Sequence, residues 1–191
     1  MGIEDGSWSL GHVYRRHRQD NKALEWFRRA LTGYEKALGI EHPKTLSTIH
    51  SMALVFDDQG KYATALELYG RALAGKEKAF GVEHPSTLAT VGQIAMVFDS
   101  QGQYAKALDW YGRALAGQEK ALGMHHRSTL TTVHNMAVVF YNQGQHAKAL
   151  EWYGRALGGK EKALGVDQSL RSIIWHCCST KNNMKNTLGV V

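Results

Sequence analysis

Proline and cysteine are nearly missing from this sequence, with two of each in 191 residues. Pro43 and Pro85 leave long stretches free of the one residue that breaks a helix outright. Cys177 and Cys178 are adjacent, so they cannot staple distant segments as a disulfide-framed secreted scaffold requires, and a reducing compartment is favoured. No apolar run reaches the ~20 residues needed to cross a bilayer. The opening Met1-Gly2-Ile3-Glu4-Asp5-Gly6 places acids where a signal peptide needs an apolar stretch. A soluble, cytoplasmic protein is expected. Block charge is missing too: 23 basic and 17 acidic residues, net +6, are interleaved along the chain and describe a solvated mixed surface, not a nucleic-acid arm.

Motifs of catalysis are equally scarce. The sequence holds no phosphate-cradling glycine loop, no paired zinc histidines in H-E-x-x-H spacing and no nucleophile elbow, so no enzymatic activity and no cofactor are expected. Ten histidines invite a metal reading. The densest groups, His125-His126 and His176-Cys177-Cys178, are sequence neighbours that point in different directions on a helix and cannot close a tetrahedral site by themselves, so no metal is expected.

What is abundant is alanine, leucine, lysine, glutamate and glutamine, the strong helix formers, within a 43% hydrophobic composition that can fill a core. The class expected is all-α. Gly39, Gly81, Gly123 and Gly165 recur every 42 residues, each after Ala-Leu or Ala-Phe in the first three and Ala-Leu in the last. Without gaps the same offset aligns Gly60, Gly102 and Gly144, then Ala23, Ala65, Ala107 and Ala149. Within one unit Leu46, Ile49, Met52, Ala53 and Phe56 form one helical stripe, and Tyr62, Ala65, Leu66, Tyr69, Ala72 and Leu73 a second. Each unit is therefore a helix pair broken at Gln59-Gly60-Lys61, with glycine ending both helices in the left-handed conformation. Proline after histidine at 43 and 85 starts the first helix.

Helices are expected near 44–59, 62–80, 86–101, 104–122, 128–143 and 146–164, with the second helix of the opening unit near 20–38. In that opening unit only residues 7–17 match, as the latter part of a first helix. Acid–base pairs four apart, such as Glu67 with Arg71 and Asp109 with Arg113, are expected to support the second helices. Trp26, Trp110 and Trp152 read as packing between units, and Gly70, Gly112 and Gly154 as exposed weak points inside second helices. The organisation is then a truncated first repeat at 1–38, repeats at 39–80, 81–122 and 123–165, a capping helix at 166–179 on Leu170, Ile173 and Ile174, and a disordered tail at 180–191.

The string His42-Pro43-x-Thr45-Leu46, Met52-Ala53, Phe56, Gln59-Gly60-Lys61-Tyr62, Ala65-Leu66, Tyr69, Arg71-Ala72-Leu73 and Glu77-Lys78-Ala79-Phe80-Gly81 resembles the 42-residue tetratricopeptide unit of kinesin light chains. Similar arrays occur in large fungal proteins behind nucleotide-binding domains, so a parent protein with further repeats or such a domain is among the implied contexts. The resemblance implies a right-handed α-α superhelical solenoid and a protein–protein interaction scaffold that binds a peptide segment of a partner in a concave groove lined by the first helices. Residues 1–21 contain no sustained heptad, so a motor-subunit role is not implied.

With 46, 49, 52, 53 and 56 turned into the stack, the opposite part of the helix carries the groove row. Its candidates are His50 and His134; Ser51, Gln93 and Asn135; Leu54, Met96 and Val138; Asp57, Asp99 and Tyr141; and in the first unit Trp8, His12, Arg15 and Arg16. In the family an asparagine on this row holds a peptide backbone, which Asn135 matches. Chaperone-tail clamps need lysine and arginine here, and the three full units lack them. Each position taken singly also reads as a solvated helix residue. Two other functions stay open: an RNA-binding helical repeat, and a ligand-free structural fragment of a longer array.

Overall fold

The computed structural model describes residues 2–163, which form eight helices and no strand among the described residues. They are α1 (Ile3–Arg16), α2 (Asp20–Leu38), α3 (Pro43–Asp58), α4 (Tyr62–Phe80), α5 (Pro85–Ser100), α6 (Tyr104–Leu122), α7 (Arg127–Asn142) and α8 (His146–Ala163). Each odd-numbered helix pairs with the next even one, and each pair packs on the pair before it, so the chain is an all-α helical-repeat solenoid. The expected capping helix and tail lie outside the described residues.

First helices begin one residue earlier than the spacing predicts. His42, His84 and His126 are their N-caps, and each Nδ1 accepts the backbone N–H two residues on, from Lys44, Ser86 and Ser128. Proline follows in two units and Arg127 in the third. Gly60, Gly102 and Gly144, at φ 71, 70 and 74, turn the chain inside each pair as expected. Gly39, Gly81 and Gly123 differ from that expectation. Their φ of 94, 92 and 89 comes with ψ of 166, 164 and 159, an extended mirror conformation instead of a left-handed helical one. It aims each glycine carbonyl at the hydroxyl of Thr45, Thr87 or Thr129, which donates to it at 2.8, 2.9 and 2.9 Å.

The opening unit is more complete than its sequence match. α1 starts at Ile3, four residues before the matching segment, because helical geometry tolerates Ile3, Glu4 and Asp5 where the second unit carries Thr45, Leu46 and Ser47. First helices are also buried on a second side: Thr45, Thr48 and Val55, like Thr87, Thr90 and Val97, are fully covered, since each such helix is sandwiched between its own partner and the preceding unit. The acid–base pairing departs from the expected within-helix register. Arg71 reaches Glu35 at 2.7 Å, and Arg113 and Arg155 likewise bond Glu77 and Glu119, all in the preceding unit. Stacking brings that acid beside a guanidinium already anchored over Trp110 or Trp152. Those tryptophans are half-buried and pack against the inter-unit core, the role expected of them.

Candidate functional site

First helices, each carrying one edge of a cleft, stand side by side over the second helices. One cleft of about 280 Å³ is lined by Asp5 and Trp8 of α1, Tyr34 of α2, and Pro43, Lys44 and Ser47 of α3. Another, of about 260 Å³, is lined by Leu88, Ala89, Gly92, Gln93 and Met96 of α5, Tyr111 and Gln118 of α6, and Arg127, Ser128, Thr131, Thr132 and Asn135 of α7. Moving the first lining set forward by two repeat periods lands on 89, 92, 118, 127, 128 and 131, all of which line the second. The two clefts are thus one site presented twice along the array.

Its floor is a polar residue of the second helix that is buried in every described unit but the last, and it changes identity each time. Tyr34 donates to Asp5 Oδ1 at 2.5 Å. Lys76, 3% exposed, donates through Nζ to Thr90 Oγ1 at 2.9 Å and to the Ser86 carbonyl at 3.3 Å. Gln118 accepts from Thr132 Oγ1 at 2.7 Å. Hydrogen bonds from Lys44 and Tyr34 hold the Asp5 carboxyl below its usual range, while burial followed by that same bond pushes the Tyr34 phenol up.

One repeat on from the first cleft, the positions of Trp8 and Tyr34 are taken by His50 and Lys76. His50 Nδ1 lies 3.2 Å from Thr90 Oγ1, and its ring meets Tyr69 edge-on at 5.3 Å. Burial, then the charges of Lys76, Arg15 and His12, pushes His50 down to about 3, so its imidazole is neutral at pH 7. Burial brings Lys76 down to about 8. The Tyr69 hydroxyl beside them is buried without a hydrogen-bond partner among the described residues.

The candidate row is brought together in part. Gln93, Met96 and Asn135 share one cleft, and Trp8 lines the other. His12 Nε2 stands 3.3 Å from Ser51 Oγ, linking the first unit's row to the second's. Arg15 does not project freely: Nε donates to Asp58 Oδ2 at 2.8 Å. Asp57 and Asp99 have their carboxyls raised, chiefly by burial, with Arg15 opposing at Asp57 and Asn142 at Asp99. Ser51 is a correction to a row read as solvent-facing. It is 3% exposed and donates to the Ser47 carbonyl at 2.9 Å, because the adjacent unit closes over it. Leu54 is half-buried against the core, and Val138 is half-buried as well. His134 and Tyr141 are exposed, their rings resting on Tyr153 and His146 of α8, and Arg16 is exposed on α1.

The lining from the second helices, Tyr34, Tyr111 and Gln118, has no counterpart in the candidate row. A signal for it exists: at 34, 76 and 118 nearly identical units carry Tyr, Lys and Gln in turn. Among the described residues no cluster of metal-ligating side chains occurs, and no helix is long and apolar enough to cross a membrane.

Comparison with known proteins agrees with this architecture. A Podosopora anserina kinesin light chain with nearly identical tetratricopeptide-like repeats superposes with a TM-score of 0.68 at 26% identity, over 85% of this chain and 80% of that one. BtubC from P. vanneervenii gives 0.72 at 21% identity over 80% of this chain and 60% of its own. A Rap protein complexed with Competence and Sporulation Factor gives 0.71 at 17% over 83% and 44%, likenesses at these identities being ones of fold. No curated protein sequence matches the chain. The tetratricopeptide-repeat family model matches residues 6–78, 58–120 and 86–162, and so the chain belongs to the tetratricopeptide-repeat family.

Proposed function

We propose that the chain is a non-catalytic protein-interaction module that takes an extended peptide segment of a partner along its first-helix row, with successive clefts receiving side chains of one ligand. The observation that carries this is the pair of clefts of nearly equal size at one repeat phase. A row of equivalent sites suits a ligand that is itself periodic, and an extended peptide is, its side chains alternating at ~3.3 Å per residue. Gln93 and Asn135 line the same cleft and carry amide donors and acceptors suited to peptide groups. The Rap protein, of the same fold, is a case in which such a solenoid is complexed with a separate factor.

The test is selection from a displayed library of random peptides against the wild-type chain and against Gln93→Ala/Asn135→Ala. Enriched peptides whose affinity falls tenfold or more in the double variant support the groove. Failure to enrich any peptide, or equal affinity for both proteins, overturns it. Retention on RNA that drops steeply with salt would point instead to nucleic acid.

A further inference from the structure

The first and last described helices, α1 and α8, carry apolar side chains at the phases that the internal junctions use. Inside the chain, α2 packs on α3, α4 on α5 and α6 on α7. The core of each junction is the same. Leu31 packs against Met52 and Val55, and Leu73 is buried with Ile94 and Val97 as Leu115 is with Met136 and Val139. One repeat period before Met52 and Val55 stand Leu10 and Val13 of α1, and one period after Leu108 and Leu115 stand Leu150 and Leu157 of α8. Nothing among the described residues covers these terminal positions: Leu10 and Val13 are 39% and 49% exposed, and Leu150 and Leu157 are 72% and 53% exposed. Ile3, at the phase of the fully buried Thr45, widens the α1 face and is 71% exposed.

We propose that two copies of this chain associate head to tail, α8 of one copy packing on α1 of the next as α6 packs on α7. The internal junctions are the argument for a second copy as the occupant. Each end offers the apolar side chains, at the same helical positions, that its opposite end is shaped to bury. Such a contact is heterologous and leaves a free end on each side, so association is open-ended and extends the groove row from copy to copy.

The test is the mass of the full 191-residue chain by light scattering over rising concentration. The expected result is a mass that climbs above the 21.2 kDa monomer as concentration rises. Leu10→Asp/Val13→Asp spoils one end and Leu150→Asp/Leu157→Asp the other, so each variant should run as a monomer with unchanged helical circular dichroism. Mixed in equal amounts, the two variants should pair through their intact ends at twice the monomer mass and go no further. The corresponding serine variants repeat the measurement should an aspartate variant lose helicity. A wild-type mass fixed at the monomer overturns the proposal. So does association that only one of the two end variants abolishes, or a mixture that stays monomeric.

Discussion

Gly117 lies directly under Leu88: a Cβ placed on it would come 2.5 Å from Leu88 Cδ2. The same closeness recurs one unit earlier between Gly75 and Leu46 and one later between Gly159 and Leu130. Glycine at this phase lets the leucine of the paired first helix seat against bare backbone. Alanine at any of the three should therefore destabilise by about 1–3 kcal/mol, the usual cost of forcing atoms into a filled core. Urea denaturation of Gly117→Ala checks this, and a midpoint equal to or above that of the wild type would show that Leu88 gives way freely.

Gly70, Gly112 and Gly154 sit in the same helices with the opposite surroundings. Nothing lies within 4 Å of a Cβ built on any of them. The helix gains rigidity from alanine there at no steric cost, roughly 1 kcal/mol per site. The three changes are a repeat apart and share no partners, so their increments in melting temperature should nearly add. A triple variant that melts lower than the parent would count against the open space seen around these glycines.

Arg113 binds the Glu77 carboxylate of the unit before it and also lies over the Trp110 ring, 5.6 Å from its centroid. Exposed ion pairs contribute ~0–1 kcal/mol and are screened by salt, whereas a guanidinium on an indole also covers apolar surface. Glu77→Gln should cost a few tenths of a kcal/mol at low salt and almost nothing at molar salt. Arg113→Ala should cost more and keep most of its effect in salt. Equal losses for the two variants would reduce Arg113 to its ion pair.

These residues also show where local pattern informs and where it stops. Helix type, pairing and register follow from a period that repeats without gaps, and Gly117 or Gly60 can be recognised by recurrence alone. The cap made by His42 is visible in sequence only as a residue before proline, because histidine is an uncommon helix cap and its Nδ1 contact depends on rotamer. Arg71 has an acid four residues before it and another thirty-six before it, and only stacking decides for Glu35. Ser51 looks solvent-facing on a single helical wheel because the wheel does not contain the preceding unit, whose His12 lies against it. The cleft floor at Tyr34, Lys76 and Gln118 belongs to a different helix from the row, so a single-helix argument does not reach it.

His50 and Lys76 make stability depend on pH in two separate windows. His50 is held at about 3 in the folded chain against an ordinary 6.5, so between those values only the unfolded state binds the proton. Its contribution is complete above pH 6.5 and is lost as pH falls toward 3, with a slope of at most about 1.4 kcal/mol per pH unit. Lys76 is held at about 8 against 10.5, so across that range the unfolded chain keeps a proton the folded one has shed. Stability from this group rises with pH from 8 to 10.5, and below 8 the cost of the buried ammonium remains. His50→Asn should flatten the acid limb of the urea midpoint plotted against pH and leave the alkaline limb alone. Lys76→Met should flatten the alkaline limb. It should also make the acid limb shallower, because the Lys76 charge is the second cause of the His50 depression, after burial. Loss of either limb in the wrong variant would mean that other groups set the pH dependence.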